Sequence, residues 1–256
     1  MALKDRPDGT MPVAPVTVSV EGSLVASLMA DLAGRLYTIP QLVEPVDHRG
    51  RVVWFDRFQL DPVRYKVTSG GVSSAASPDS VYAYDDLFSL AVTSGPNAGN
   101  YTALSRGLPE LAACTLGLEI RSMYIPPEPG SPARELFLYH YTGSVKYTFG
   151  WRYRDEDPPG VDVYTGGAWE EVDAVLAMTG EFVWNAIKLA VNLDDPAYLR
   201  GILDSREYDL SSYPVDSAAD ATGRGVVIEV RNTLLDDGDE TIYLGRLVVT
   251  DREPTS

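Results

Sequence analysis

Between residues 145 and 154 the chain alternates Tyr147, Phe149, Trp151 and Tyr153 with Lys146, Thr148, Arg152 and Arg154. In an extended strand that spacing puts the rings on one face and the cations on the other. A row of rings either fills the core of a sandwich or forms an apolar platform on which a flat ligand face can stack. If these rings are core, Lys146, Arg152 and Arg154 line the opposite surface, and Tyr82, Tyr84, Tyr139 and Tyr141 become the better stacking residues. The carbohydrate-binding candidates are therefore Tyr82, Tyr84, Tyr139, Tyr141, Trp151 and Tyr153.

Catalytic chemistry has less to draw on. The histidines are His48 and His140, and Cys114 is the single cysteine. No intrachain disulfide can form, and a Cys/His zinc site of the usual kind cannot be assembled. Cys114 stands in the apolar run Leu111-Ala112-Ala113-Cys114-Thr115-Leu116, the setting of a buried, inert thiol. No G-x-S-x-G elbow presents a serine, and neither G-x-x-x-x-G-K-[ST] nor G-x-G-x-x-G is present to cradle a phosphate. The acidic turn Asp236-Asp237-Gly238-Asp239-Glu240 offers oxygens for Ca²⁺ but lacks the D-x-[DN]-x-[DN]-G spacing, and reads as a solvated hairpin. No metal and no cofactor is expected.

Charge narrows the partners. The 256 residues carry 21 Lys and Arg against 37 Asp and Glu, a net charge of −16. Such a chain is repelled by duplexes and anionic lipid, so neither nucleic acid nor membrane is an expected partner. No apolar run reaches the length of a membrane helix. After Lys4 and Arg6, Pro7, Asp8, Pro12 and Pro15 interrupt the chain before any signal-like apolar stretch, so no signal peptide is expected.

The elements that must position these residues are mostly strands. With 15 Tyr, 18 Pro and 22 Gly the composition favours strands and turns. From Arg51 onward short alternating runs predict strands near 52–58, 81–84, 88–93, 115–124, 135–142, 145–153, 161–164, 182–193, 198–203, 226–231 and 241–250, with one short helical turn around Asp194 to Tyr198. The same alternation predicts Leu116, Leu118, Ile120, Ile187, Leu189, Val191, Val226, Ile228 and Val230 as core. The expected fold class is all-β, a two-sheet antiparallel sandwich or a barrel over residues 49–256.

Residues 1–48 form a separate N-terminal arm and linker. Val16, Val18 and Val20 alternate with polar residues as in a strand. Leu24, Leu28, Leu32 and Leu36 stand four apart, a helical stripe, with a pair of strands as the alternative. An apolar stripe or a Val-rich edge left in water recruits a partner, so these seven residues are the expected assembly contacts with another subunit.

The order of pieces after residue 50 resembles a concanavalin A-like lectin/glucanase jelly roll of the LamG-like kind. The likeness is carried by Val53-Trp54-Phe55-Asp56-Arg57-Phe58, by Gly-Gly-Ala-Trp169, by the run Trp184-x-x-Ile187-Lys188-Leu189-x-Val191-x-Leu193 with Tyr198-Leu199-Arg200, and by Tyr208-Asp209-Leu210-Ser211 and Leu244 to Thr250. The resemblance implies a jelly-roll sandwich. Enzymes of this class set alternate carboxylates on one strand as E-x-D-x-E or E-x-D-x-x-E, for nucleophile and general acid. Here Glu171-Val172-Asp173 is followed by Ala174, Val175 and Leu176 and falls in an expected loop, while the same-face neighbours of Glu119 are Gly117 and Arg121. The chain is therefore expected not to be an enzyme.

With its leading arm and no signal peptide, the chain also resembles bacteriophage virion proteins in style. That resemblance implies a non-catalytic structural or attachment protein, a capsid decoration or tail-associated part that binds carbohydrate, located in the virion or in the cytoplasm before assembly. The alternatives are a free carbohydrate-binding protein and a glycoside hydrolase acting on polysaccharide.

Overall fold

The computed structural model describes residues 49–58, 64–84, 88–108, 115–124, 131–156, 158–174, 183–238 and 240–255. The chain divides into Met1–Glu44 and Pro45–Ser256, and every described residue belongs to the second unit. The seven arm residues Val16 to Leu36 and Cys114 lie outside the described residues. Along the chain the strands are β1 (Arg51–Asp56), β2 (Lys66–Ser69), β3 (Ala75–Asp79), β4 (Ser89–Thr93), β5 (Tyr101–Leu108), β6 (Thr115–Tyr124), β7 (Pro132–Tyr141) and β8 (Val145–Arg154). They continue with β9 (Gly160–Thr165), β10 (Ala168–Ala174), β11 (Trp184–Asn192), β12 (Ala197–Leu203), β13 (Arg206–Asp209), β14 (Asp216–Ala219), β15 (Gly225–Leu234) and β16 (Thr241–Asp251).

These strands make two antiparallel sheets of eight, stacked as a jelly-roll sandwich. Sheet A runs β13-β12-β11-β6-β16-β4-β3, with β1 also on β16; sheet B runs β10-β9-β8-β7-β15-β5-β2, with β14 also on β8. Alternation explains the packing. Leu116, Leu118 and Ile120 of β6 stand opposite Val191, Leu189 and Ile187 of β11 and face Val226, Ile228 and Val230 of β15 across the core, all buried. Burying side chains of this size contributes roughly 1.5–3 kcal/mol each, which makes this inner layer the main source of stability.

The structure corrects the sequence reading at several places. Residues 81–84 are not a strand, because the Asp79 carboxylate accepts hydrogen bonds from the Val81 and Tyr82 amides, both 2.8 Å, and turns the chain. Residues 193–196 form the β11–β12 turn rather than a helical one, with Asn192 Oδ1 accepting from Asp194 N at 3.0 Å. The strands the alternation missed are β2, β3, β5, β10, β13 and β14. Most of these are short or polar members at the sheet margins, where one side needs no apolar residues; Pro78 sits in β3, an edge strand, where its missing N–H costs nothing.

Candidate functional site

The outer face of sheet B brings the most chemistry together. Strand β7 reads Ala133, Glu135, Phe137, Tyr139, Tyr141 on that face, and β8 presents Arg154, Arg152, Gly150, Thr148 and Lys146 opposite them in order. Adding β15, β9 and β10 produces two parallel rows across the strands. One row is charged: Arg231, Glu135, Arg152 and Asp162. The other is aromatic: Phe137, then Gly150, then the facing pair Tyr164 and Trp169.

In the charged row each carboxylate lies between cations. Arg152 Nε donates to Asp162 Oδ2 at 2.6 Å, and Arg154 Nε to Asp162 Oδ1 at 3.1 Å. Glu135 stands 3.6 Å from Arg152 and 3.8 Å from Arg231, both loose ion pairs, and its Oε2 accepts no hydrogen bond. Burial therefore wins over the two cations, and the Glu135 carboxyl is pushed up to about 7. Arg231 turns its tighter bond to Glu229, at 2.6 Å, and Glu229 also accepts from the Tyr139 hydroxyl at 3.3 Å. Burial, and next the Glu229 charge, raise the Tyr139 phenol above its ordinary value, so it stays a neutral donor.

The aromatic row is built around a glycine. A Cβ on Gly150 would lie 2.6 Å from Tyr164 Cβ and 2.9 Å from Phe137 Cε1, so only glycine lets these rings meet at 5.5 Å. Phe137 stacks on Tyr139 with an interplanar angle of 4° and packs at 5.3 Å on Trp169. Cations finish the platform: Arg152 lies over Trp169 at 4.6 Å, Arg231 over Tyr101 at 4.5 Å, and Lys146 over Tyr139 at 5.6 Å. Tyr139, Tyr164 and Trp169 are half-exposed while Phe137 beneath them is buried.

Beside the platform lies a groove of about 390 Å³ lined by Lys146, Thr148, Tyr164, Gly166, Gly167 and the start of β14. It exists because β8 changes partner, pairing with β9 over residues 151–154 and with β14 over residues 145–148.

Of the six tyrosine and tryptophan candidates, Tyr139 and Tyr141 are on this face. Trp151 and Tyr153 are not platform residues: both are 0% exposed, inside the sandwich with Phe149. Tyr82 and Tyr84 lie against sheet A, Tyr82 on Tyr243 at 4.7 Å and Tyr84 on Trp184 at 5.1 Å, so they cannot share a ligand with Tyr139. Phe137, Glu135 and Trp169 were missed. The period of two through Tyr139 and Tyr141 reaches Phe137 and Glu135, and a Gly166-Gly167 hairpin puts Trp169 opposite Tyr164.

The carboxylates weighed for catalysis are dispersed. Glu171 and Asp173 are on β10, not in a loop, and a bulge between them leaves Glu171 opposite Asp162 of the outer face but Asp173 opposite Val161 of the core-facing row. Glu171 is ion-paired to Arg154 and Asp173 to Arg206. Glu119 is buried on the far sheet, 3.8 Å from Arg121. His140 is half-buried next to Tyr147, and burial lowers its pKa. Asp236 and Asp237 bind loop amides, Ser131 N at 3.0 Å and Ala98 N at 3.3 Å. Among the described residues no three His, Cys, Asp or Glu are grouped closely enough to hold a metal ion, and no helix is long and apolar enough to cross a membrane.

No family model matches the sequence, and no curated protein matches it. Solved structures do. The chain is similar to the cellulose induced protein Cip1 at 9% identity and a TM-score of 0.49, covering 79% of this chain and 97% of that one. It is similar to a legume lectin-like domain from Entamoeba histolytica at 11% identity and a TM-score of 0.48, covering 78% and 97%. A third likeness, at 8% identity and a TM-score of 0.48, covers 77% of this chain and 100% of a GH16 protein of the Bacteroides ovatus mixed linkage glucan PUL, solved with a product. At these identities no ligand and no reaction carries over, and the sandwich stands on its own strand pairing.

Proposed function

We propose that this chain is a non-catalytic glycan-binding protein whose ligand lies on the outer face of sheet B. The observation that carries this reading is the row Phe137, Tyr164 and Trp169 with Tyr139 beside it, backed by cations and bordered by a groove. Half-exposed rings supply apolar area at little entropy cost, and the flanking Arg, Glu and Lys supply the polar contacts that hydroxyl groups need. Titration calorimetry against a panel of β-glucans, agars and bacterial polysaccharides tests it. Trp169→Ala and Tyr139→Ala are each expected to weaken binding about tenfold, about 1.4 kcal/mol; binding that ignores both substitutions overturns the placement.

The finer reading is that the protein is a structural or attachment part of a bacteriophage virion, held to its own or other subunits by residues 1–48. The Val16 to Val20 alternation and the Leu24 to Leu36 stripe support it. Deleting residues 1–48 is expected to leave a folded sandwich that no longer assembles, read by sizing and electron microscopy. A full-length chain that stays monomeric favours a free carbohydrate-binding protein instead, and a truncated chain that unfolds overturns the attachment role.

One observation favours a glycoside hydrolase: Glu135, at about 7, is poised as a general acid on this face. Its lone pairs face arginines, and the neighbouring carboxylates Asp162, Glu229 and Glu171 are each spent in an ion pair, while Asp216, the carboxylate of this face opposite Thr148, is held by the Gly166 and Gly167 amides at the groove and not beside Glu135. Reducing-end release that disappears in Glu135→Gln would establish the hydrolase in place of the binding protein.

A further inference from the structure

The groove beside the platform holds two opposite charges that do not neutralise each other. Asp216 faces Thr148 and Ala218 faces Lys146 across the β14–β8 pair, so Asp216 and Lys146 are diagonal neighbours lining one space. Diagonal residues on adjacent strands stand ~7–8 Å apart. Among the described residues no ion pair joins the two; the Lys146 charge acts on Asp220, just past the end of β14, as the smallest of the causes that lower that carboxyl. Asp216 is held in place instead. The Gly166 amide donates to its Oδ1 at 2.5 Å and the Gly167 amide to its Oδ2 at 2.7 Å, consecutive donors aimed by a turn with φ of 61° and 78°. Each carboxylate oxygen keeps a lone pair for a further donor.

Resting on the glycan-binding reading of this face, we infer that the groove is the specificity subsite and that it takes a neutral pyranose unit with a free vicinal diol. Asp216 accepts from one hydroxyl and Lys146 donates to its neighbour, with Thr148, which faces Asp216, in the same lining. A charged acceptor held by two backbone amides and a charged donor lining the same groove form the stronger class of hydrogen bond to adjacent hydroxyls. A uronate serves this groove poorly. Its carboxylate could pair with Lys146 only by entering a space that Asp216 also lines, and the net charge of −16 repels an acidic polymer before contact. The volume, about 390 Å³, is that of a small ligand site.

The test uses the full chain and calorimetric titration with neutral gluco-, manno- and galacto-oligosaccharides, with alginate oligosaccharides as the acidic arm. Lys146→Met and Asp216→Asn are each expected to weaken binding of the preferred neutral oligosaccharide about tenfold or more. Periodate cleavage of its vicinal diols is expected to abolish binding, and affinity should change little between about 50 and about 500 mM NaCl. Thermal melts of both variants within a few degrees of the parent show that the loss is not unfolding. Binding that falls in Trp169→Ala but is untouched in Lys146→Met and Asp216→Asn overturns the subsite and leaves the platform standing. Preference for alginate, with affinity falling steeply as salt rises, overturns the neutral ligand. Absence of binding to every sugar by the parent chain sinks the platform reading, and the subsite with it.

Discussion

The Tyr198 hydroxyl, rooted in sheet A, accepts a 2.8 Å hydrogen bond from the backbone N–H of Gly150 in sheet B. The same hydroxyl donates at 2.6 Å to the Tyr164 carbonyl. Gly150 lies where β8 has left β9 and not yet met β14, so its amide has no ladder partner on that side. A side chain from the opposite sheet closes the gap. The split that creates the groove is tolerable because Tyr198 satisfies the backbone groups it would otherwise strand.

Tyr198→Phe should therefore cost about 1–3 kcal/mol, the penalty of leaving a buried amide and a carbonyl unpartnered, with little loss of packing. Urea unfolding measures it. The Gly150 amide should also exchange with solvent faster relative to its neighbours, and unchanged stability with unchanged exchange would refute the bridging role.

Glu135 makes stability depend on pH. Its pKa is raised in the folded state, from the ordinary 4.5 to about 7, by burial. The sign follows: its contribution is fully present below about 4.5, is lost as pH rises through about 7, and disappears above that. The stability difference between the parent and Glu135→Gln should shift against the parent over that window by on the order of 3 kcal/mol. A difference that stays flat from pH 4 to pH 8, by chemical denaturation, would show that burial does not raise the Glu135 carboxyl.

Glu253 is buried on the outer side of sheet A, 2.7 Å from Lys188 Nζ and hydrogen-bonded to Arg200 and Thr250. Lys188 and Arg200 are themselves almost fully buried. Removing the shared anion in Glu253→Ala should cost about 3–5 kcal/mol, because two cations lose their common counter-charge where water cannot replace it. A drop below about 1 kcal/mol in urea unfolding would mean the cluster is solvated.

The inner layer was legible in the sequence. Leu116, Leu118, Ile120, Ile187, Leu189, Val191, Val226, Ile228 and Val230 are all buried, because an alternation of period two is written locally and a strand with one wet face must obey it. A Gly-Gly pair such as Gly166-Gly167 ends a strand for the same reason, because a turn acts over a few residues. The face of residues 145–154 could not be settled that way. Both faces are rich in large side chains, and Phe149 and Trp151 became core only when β8 met sheet A through Tyr198 and Tyr208, with Tyr153 buried on the same face. The same holds for the site. Phe137, Tyr164 and Trp169 are brought together by hairpin register, Glu171 is separated from Asp173 by a bulge, and Asp216 reaches Gly166 and Gly167 across fifty residues. Alternation states which side of a strand is apolar, since that depends on the strand alone; which strands become neighbours depends on loop closure and on the packing of one sheet against the other, and these only the tertiary structure decided.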